Sequence, residues 1–275
     1  MHIRYGFDIA LDLAQPTAIL TMMDVHSDCR HAIVGETELE LSEAIPATRF
    51  VDRDGNIVRR LCADAGSLSL RLQGVFHITG RRDEVDRTAD AWPISDLPSE
   101  ALPFLRASRY CETDLLSDLA WANFGAVNGG WARVQAICDF VHRCLRFSYP
   151  EARPTRTASE ALAEGVGVCR DFTHLGVALC RCLNIPARYC NGYLGDIGVP
   201  PDPAPMDFNA WFEAFLGDRW LTFEPRHNRP RIGRILISRG SDAADIPMIT
   251  TFGSHALTRF DVVTEEIKEC EVAAA

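Results

Sequence analysis

Two short stretches carry residue types that can act together. The first, EGVGVC, ends in Cys169. Its glycines let other backbone approach closely. After it, Phe172, Leu175, Leu179, Cys182 and Leu183 recur at helical spacing. Cys169 therefore stands at a helix start, where backbone N–H groups are unpaired and the positive end of the macrodipole favours an anion. Both effects favour a thiolate over a thiol, and the same N–H groups can donate to an oxyanion. A buried cysteine packed at a helix start fits the local pattern equally well.

The second stretch is MDFNAWFEAF (206–215), followed closely by RWLTFEPRHN. Period-two alternation places Asn209, Trp211 and Glu213 on one face of a strand and Ala210, Phe212 and Ala214 on the other. A two-residue Gly217-Asp218 loop pairs Leu216 with Arg219 and Phe215 with Trp220. Continued, that register sets Trp211 opposite Glu224 and makes Asn209 and Glu224 diagonal neighbours, roughly 7–8 Å apart at the backbone. A hydrogen-bonding side chain backed by a carboxylate, with a cysteine at a helix start, is the layout of a thiol-based triad. The bland alternative is an exposed hairpin face with a few polar residues.

The elements that must hold these residues can be read along the chain. Residues 1–90 alternate apolar and polar positions in HIRYGFDIAL, TELELSEA and SLSLRLQGVFHITG, and DRDGN carries a hairpin signal. We expect an antiparallel, sandwich-like β domain there. The charged run RRDEVDR (81–87) is expected to be solvated linker. Residues 91–130, with the proline-bearing WPISDLPSEALPFL, are expected to connect. Trp131, Val134, Ile137, Cys138, Val141, Cys144 and Leu145 form one helical stripe, with His142 beside it. Thr157 and Glu160 have capping-box spacing, and Gly165 and Gly167 end the short helix they open. A strand over 187–195 and a proline-rich surface loop over 196–206 precede the hairpin.

Composition bounds the function. The 275 residues are 47% hydrophobic and 24% charged, which suits a globular chain with a core. The net charge of -10 repels phosphate backbones, so nucleic acid is not an expected partner. No apolar run reaches the roughly 18 residues of a membrane helix, and no long apolar leader opens the chain. A cytoplasmic protein without membrane partners is expected. The ten cysteines are scattered without a CxxC pair, so no metal site is indicated and most should be buried thiols.

GVGVCRDFTHLGVALCRCLNIPARYCNGYL followed by MDFNAWFEAFLGDRWLTFEPRHN resembles the bacterial branch of the transglutaminase-like superfamily, from roughly residue 130 to the C-terminus. The β-rich first part looks like the N-terminal domain that often precedes this core. The resemblance implies an α+β fold of papain-like thiol enzymes over 131–275, with helices packed on an antiparallel sheet. It implies a Cys-His-Asp triad acting on a peptide, protein or small amide by hydrolysis or transfer to an amine, without a cofactor. Cys169 matches the nucleophile. Glu224 falls where the family usually has Asp, and Asn209 falls where it has His.

That last departure matters chemically. The histidine takes the thiol proton and later protonates the leaving amine. An amide side chain does not titrate near neutrality and can only exchange hydrogen bonds. Two readings follow: a thiol hydrolase or acyltransferase site impaired at its base, or a pseudoenzyme that binds a peptide or protein. Replacement bases are scarce. His174, five residues along the helix, points to another side. His227 lies beyond Glu224, where RHN resembles the family's ordinary sequence, and Glu213 is a weak base toward a thiol.

Overall fold

The computed structural model describes residues 1–42 and 44–268. The regular elements run β1 (His2–Leu13), β2 (Thr17–Thr21), β3 (Ile33–Val34), β4 (Glu40–Leu41), β5 (Thr48–Val51), β6 (Ile57–Ala63), β7 (Gly66–His77), α1 (Thr113–Phe124), α2 (Gly130–Cys144), β8 (Arg146–Phe147), α3 (Ala158–Glu164), β9 (Val166–Gly167), α4 (Cys169–Cys182), β10 (Ala187–Tyr193), β11 (Asn209–Leu216), β12 (Arg219–Phe223), β13 (Ile235–Gly240), β14 (Ile249–Thr251) and β15 (His255–Ile267). The expected α+β architecture is present.

The β-rich part is two antiparallel sheets around one apolar core. One has the order β15-β1-β7-β3 with β4 also on β7; the other is β14-β2-β6-β5. Ile9, Leu11, Leu68 and Leu70 of the first sheet pack with Ile19 and Leu61 of the second. The core sheet β12-β11-β10-β13 lends Tyr193, Ile235 and Ile237 to the same cluster. Its other face packs on α4. Both faces of β11 are therefore buried, including Trp211, and its Asn/Trp/Glu face is not an exposed one.

Helix α4 follows from its sequence. Phe172, Leu175 and Leu179 form the stripe read from the sequence, but burial runs all round, from Asp171 to Cys182. The small residue Gly176 admits the ring of Phe212: a Cβ there would lie 2.8 Å from the Phe212 ring. The hairpin register is as expected, with Leu216 opposite Arg219 and Phe215 opposite Trp220.

Three features of the structure bear on the expected organisation. The strand pairing does not follow a boundary at residue 131: β15 lies along the whole of β1, and β14 pairs with β2. The chain thus returns to its first sheets, pairing with the edges of β1 and β2 that residues 1–90 leave open; residues 269–275 of the expected second part lie outside the described residues. The connecting segment contains α1, whose Leu116, Ala120 and Phe124 are buried in the helical core. Finally, RRDEVDR is mostly exposed, as expected, and is anchored at Asp83. Asp83 accepts from Arg231 N–H (2.8 Å) and pairs with the Arg234 guanidinium at 3.0 Å.

Phe212→Ala empties the space over Gly176 and should destabilise the chain by about 3–5 kcal/mol, the usual range for a fully buried Phe. Urea unfolding, read as a lowered midpoint at unchanged slope, checks this.

Candidate functional site

The turn before α4 is built by two glycines and a carboxylate. The Thr157 hydroxyl accepts from Glu160 N–H (3.4 Å) and the Glu160 carboxylate from Thr157 N–H (3.1 Å), so the expected capping box opens α3. Gly165 closes it in the left-handed region, at φ 67°. A Cβ on Gly167 would lie 2.6 Å from the Asp171 Cβ, so this glycine lets Asp171 fold back. The Asp171 carboxylate then accepts from Val168 N–H (2.9 Å) and from Arg156 (3.1 Å). The anion drawn to this helix start is already supplied by the chain itself.

Cys169 is the first residue of α4. Its thiol donates toward the Phe208 carbonyl at 4.0 Å and packs among Tyr189, Ala210 and Ile246. The expected thiolate-favouring environment is not what surrounds it. Burial pushes the thiol up to about 11, and the Asp207 carboxylate pushes the same way. The Arg226 charge and a hydrogen bond from Ala210 N–H oppose these effects only in part.

Asn209 opens β11, opposite Gly192 of β10, and is buried. Its side-chain oxygen accepts from Ala210 N–H (2.9 Å). The segment before it thus brings Cys169 and Asn209 to the same strand end: the sulfur faces Phe208 O and Ala210, on either side of Asn209 in the chain.

Glu224 directly follows β12 and is also buried. Among the described residues no hydrogen bond joins it to Asn209. One carboxylate oxygen accepts from His227, at 2.7 Å from ring Nδ1 and 3.2 Å from the backbone N–H. The other accepts from Arg234 (3.2 Å), whose guanidinium lies over the Trp211 ring at 5.0 Å. Burial pushes the Glu224 carboxyl up, but the His227 hydrogen bond and the Arg234 charge outweigh it, and the net shift is downward. Glu224 is therefore the ionised acceptor, which puts the His227 proton on Nδ1.

The remaining bases considered from the sequence divide clearly. His174 is fully buried, stacked on Tyr110, and accepts from Ala243 N–H (3.2 Å); burial holds its pKa well below the ordinary value. Glu213 is paired with Arg188 at 2.6 Å. His142 holds the chain after Glu224 through the carbonyls of Pro225 (3.1 Å) and Arg226 (2.9 Å).

Sequence reasoning missed the most prominent neighbour. Asp207, Tyr149, Arg226 and His227 line one cavity with Asn209. The Asp207 carboxylate accepts from Phe208 N–H (2.7 Å) and shares a hydrogen bond with the Tyr149 hydroxyl. One more step of the same alternation, backward from Asn209, would have found it. Among the described residues, no His, Cys, Asp and Glu cluster of three or more is placed to hold a metal ion, and no helix is long and apolar enough to cross a membrane.

Comparison with known proteins bears on the fold that holds this site. The profile of the transglutaminase-like superfamily matches residues 121–225, which include Cys169, Asn209 and Glu224. A solved structure named "Putative Cysteine Protease from Cytophaga hutchinsonii" is 29% identical, covering 98% of this chain and 91% of that one with a TM-score of 0.86. An uncharacterized protein of Mycobacterium leprae (strain TN) is 31% identical over 110 residues. That match covers 38% of this chain, which spans only 39% of the relative's length.

Glu224→Gln should cost about 1–3 kcal/mol at pH 7, because it leaves the Arg234 guanidinium short of an acceptor while Asp83 remains. The folded-state pKa of Glu224 is depressed, so its contribution is complete above 4.5 and is lost as pH falls through the folded value. Urea midpoints of the two proteins should differ at pH 7 and converge below pH 4.5.

Proposed function

We propose that this chain, which carries a transglutaminase-like core over residues 121–225, uses Cys169 to attack an amide or ester carbonyl, leading to hydrolysis or acyl transfer, with amide cleavage curtailed by Asn209. The observation that carries this reading is the approach of the Cys169 thiol to the start of β11, at 4.0 Å from Phe208 O, beside the Asn209 position. A nucleophile at a helix start and a strand bearing a hydrogen-bonding side chain meet there, as a thiol site requires. The name of the Cytophaga hutchinsonii protein supports a peptide or protein amide as the substrate class.

The missing part is a titrating group at position 209. With His there, an imidazolium next to the sulfur would stabilise the thiolate and protonate a leaving amine. With Asn, the thiol keeps its proton, and only acyl groups with good leaving groups react readily. A second reading, a non-catalytic module that binds a peptide in the cleft, draws on the same raised thiol pKa.

Asn209→His separates the two. The variant should bring the pH midpoint of Cys169 alkylation down from about 11 and raise hydrolysis of a peptide amide by on the order of 10²–10⁴. Iodoacetamide labelling with peptide mass spectrometry, alongside a fluorogenic amide assay, reads both. A variant that gains neither thiolate nor turnover leaves the binding module standing.

A further inference from the structure

We propose that a cavity beside the first sheet binds a small polyanion, a ligand carrying two or more phosphate or carboxylate groups. The cavity measures about 570 Å³ and lies where three segments meet, 31–34, 77–83 and 231–234. Its charged walls are Arg81, Arg82, Arg231 and Arg234, against the single carboxylate of Asp83. His31 and His77 each add an imidazole. Cys169 and Asn209 are not among its walls, so the site stands apart from the reading of Cys169 as a nucleophile.

Such a cluster runs against the charge of the chain. The net charge of -10 repels anions from the surface at large. Four like charges lining one space also repel one another, and an anion among them relieves that cost. Asp83 relieves only part of it, since its carboxylate already accepts from Arg231 N–H (2.8 Å) and from the Arg234 guanidinium (3.0 Å). Arg81 and Arg82, the first residues of RRDEVDR, are exposed, and their side chains pair with no carboxylate among the described residues.

The other two arginines are not solvated. The Arg231 and Arg234 side chains are only 2% and 8% exposed. Each nevertheless keeps a guanidinium nitrogen without a hydrogen-bond partner among the described residues, Nε of Arg231 and Nη1 of Arg234. A buried donor left unpaired is costly. A solvated basic surface does not account for such donors. Phosphate and carboxylate oxygens are the acceptors that a guanidinium fork matches.

The walls are held before any ligand arrives. An antiparallel bridge joins Arg82 to Ile232, and Asp83 N–H donates to the Arg231 carbonyl at 2.8 Å. On the other side β3 pairs with β7, Ile33 opposite Phe76. Donors fixed in advance lower the ordering cost of binding. The volume falls within the roughly 300–1,000 Å³ of small-molecule sites. The acidic surface around it would repel an extended phosphate backbone. Ile33, Val34 and Ile78 line the rest of the cavity and suit a carbon frame between the acid groups.

Calorimetric titration of the full chain with tripolyphosphate and, separately, with citrate, at constant ionic strength, tests the site. At least one should bind at one site per chain and raise the unfolding midpoint. Tripolyphosphate binding alone assigns the phosphate chemistry, citrate binding alone the carboxylate chemistry, and binding of both their shared recognition by guanidinium. The double variant Arg81→Gln/Arg82→Gln should weaken binding by a factor of roughly 10–100, the worth of one charge-assisted hydrogen bond. Arg109→Gln/Arg143→Gln, at two exposed arginines that do not line the cavity, should bind like the wild type. In the wild type the bound probe should slow modification of Arg81 and Arg82 by p-hydroxyphenylglyoxal, read by peptide mass spectrometry. That readout stands even where a variant fails to fold.

The absence of binding by both probes at millimolar concentration overturns the proposal. So does undiminished binding in Arg81→Gln/Arg82→Gln. Equal weakening in the Arg109/Arg143 pair would show a general attraction of anions and no site, and protection that spares Arg81 and Arg82 would place the anion elsewhere.

Discussion

Helix α4 lies buried from Asp171 to Cys182, with α1, α2 and α3 on one side and β10 and β11 on the other. In a helix enclosed on all sides an unpaired polar group is costly. Arg181 is paired by donating to the carbonyls of Ala187, Arg106 and Ser241, and Thr173 by donating to the Cys169 carbonyl. Asp171 is held between Val168 N–H and Arg156. These bonds lock the helix along its length. They leave its first residue, Cys169, as the point where the buried element meets the cleft.

That enclosure also governs the chemistry. A helix start favours an anion by its unpaired N–H groups, but desolvation opposes a charge more strongly when no cation stands close by. Here the carboxylate that acts on the thiol most strongly belongs to Asp207, and Arg226 offsets only part of its effect. The resting site is therefore a thiol site. A histidine at position 209 would have supplied the compensating cation, and the side chain present there instead folds onto the N–H of Ala210.

Glu224 shows how a position can be recognised while its partner is not. The hairpin register read from Gly217-Asp218 holds, and Trp211 and Glu224 are bridged by Arg234 on one face. Yet the carboxylate turns to His227, three residues onward, because the chain bends directly after β12 and returns that ring to it. A strand-based extrapolation cannot see a bend beyond the strand's end. It also cannot see that Arg234 and Asp83, far apart in sequence, close an ion-pair chain with Glu224.

What the sequence by itself determined is local. Thr157 and Glu160 cap α3, the glycines before Cys169 shape its turn, and Gly217-Asp218 sets the hairpin, because each depends on residues a few positions apart. The approach of the EGVGVC turn to the NAWFE strand was legible only because the two long segments together resemble a known core. The tertiary structure alone decided the rest. β15 completes the first sheet by pairing with β1 across almost the whole chain, and α1 hides its short apolar stripe behind a proline-rich lead. The thiol pKa and the prominence of Asp207 come from burial and from charges brought together in space, which depend on the packed neighbours of Cys169 and not on the residues beside it in the chain.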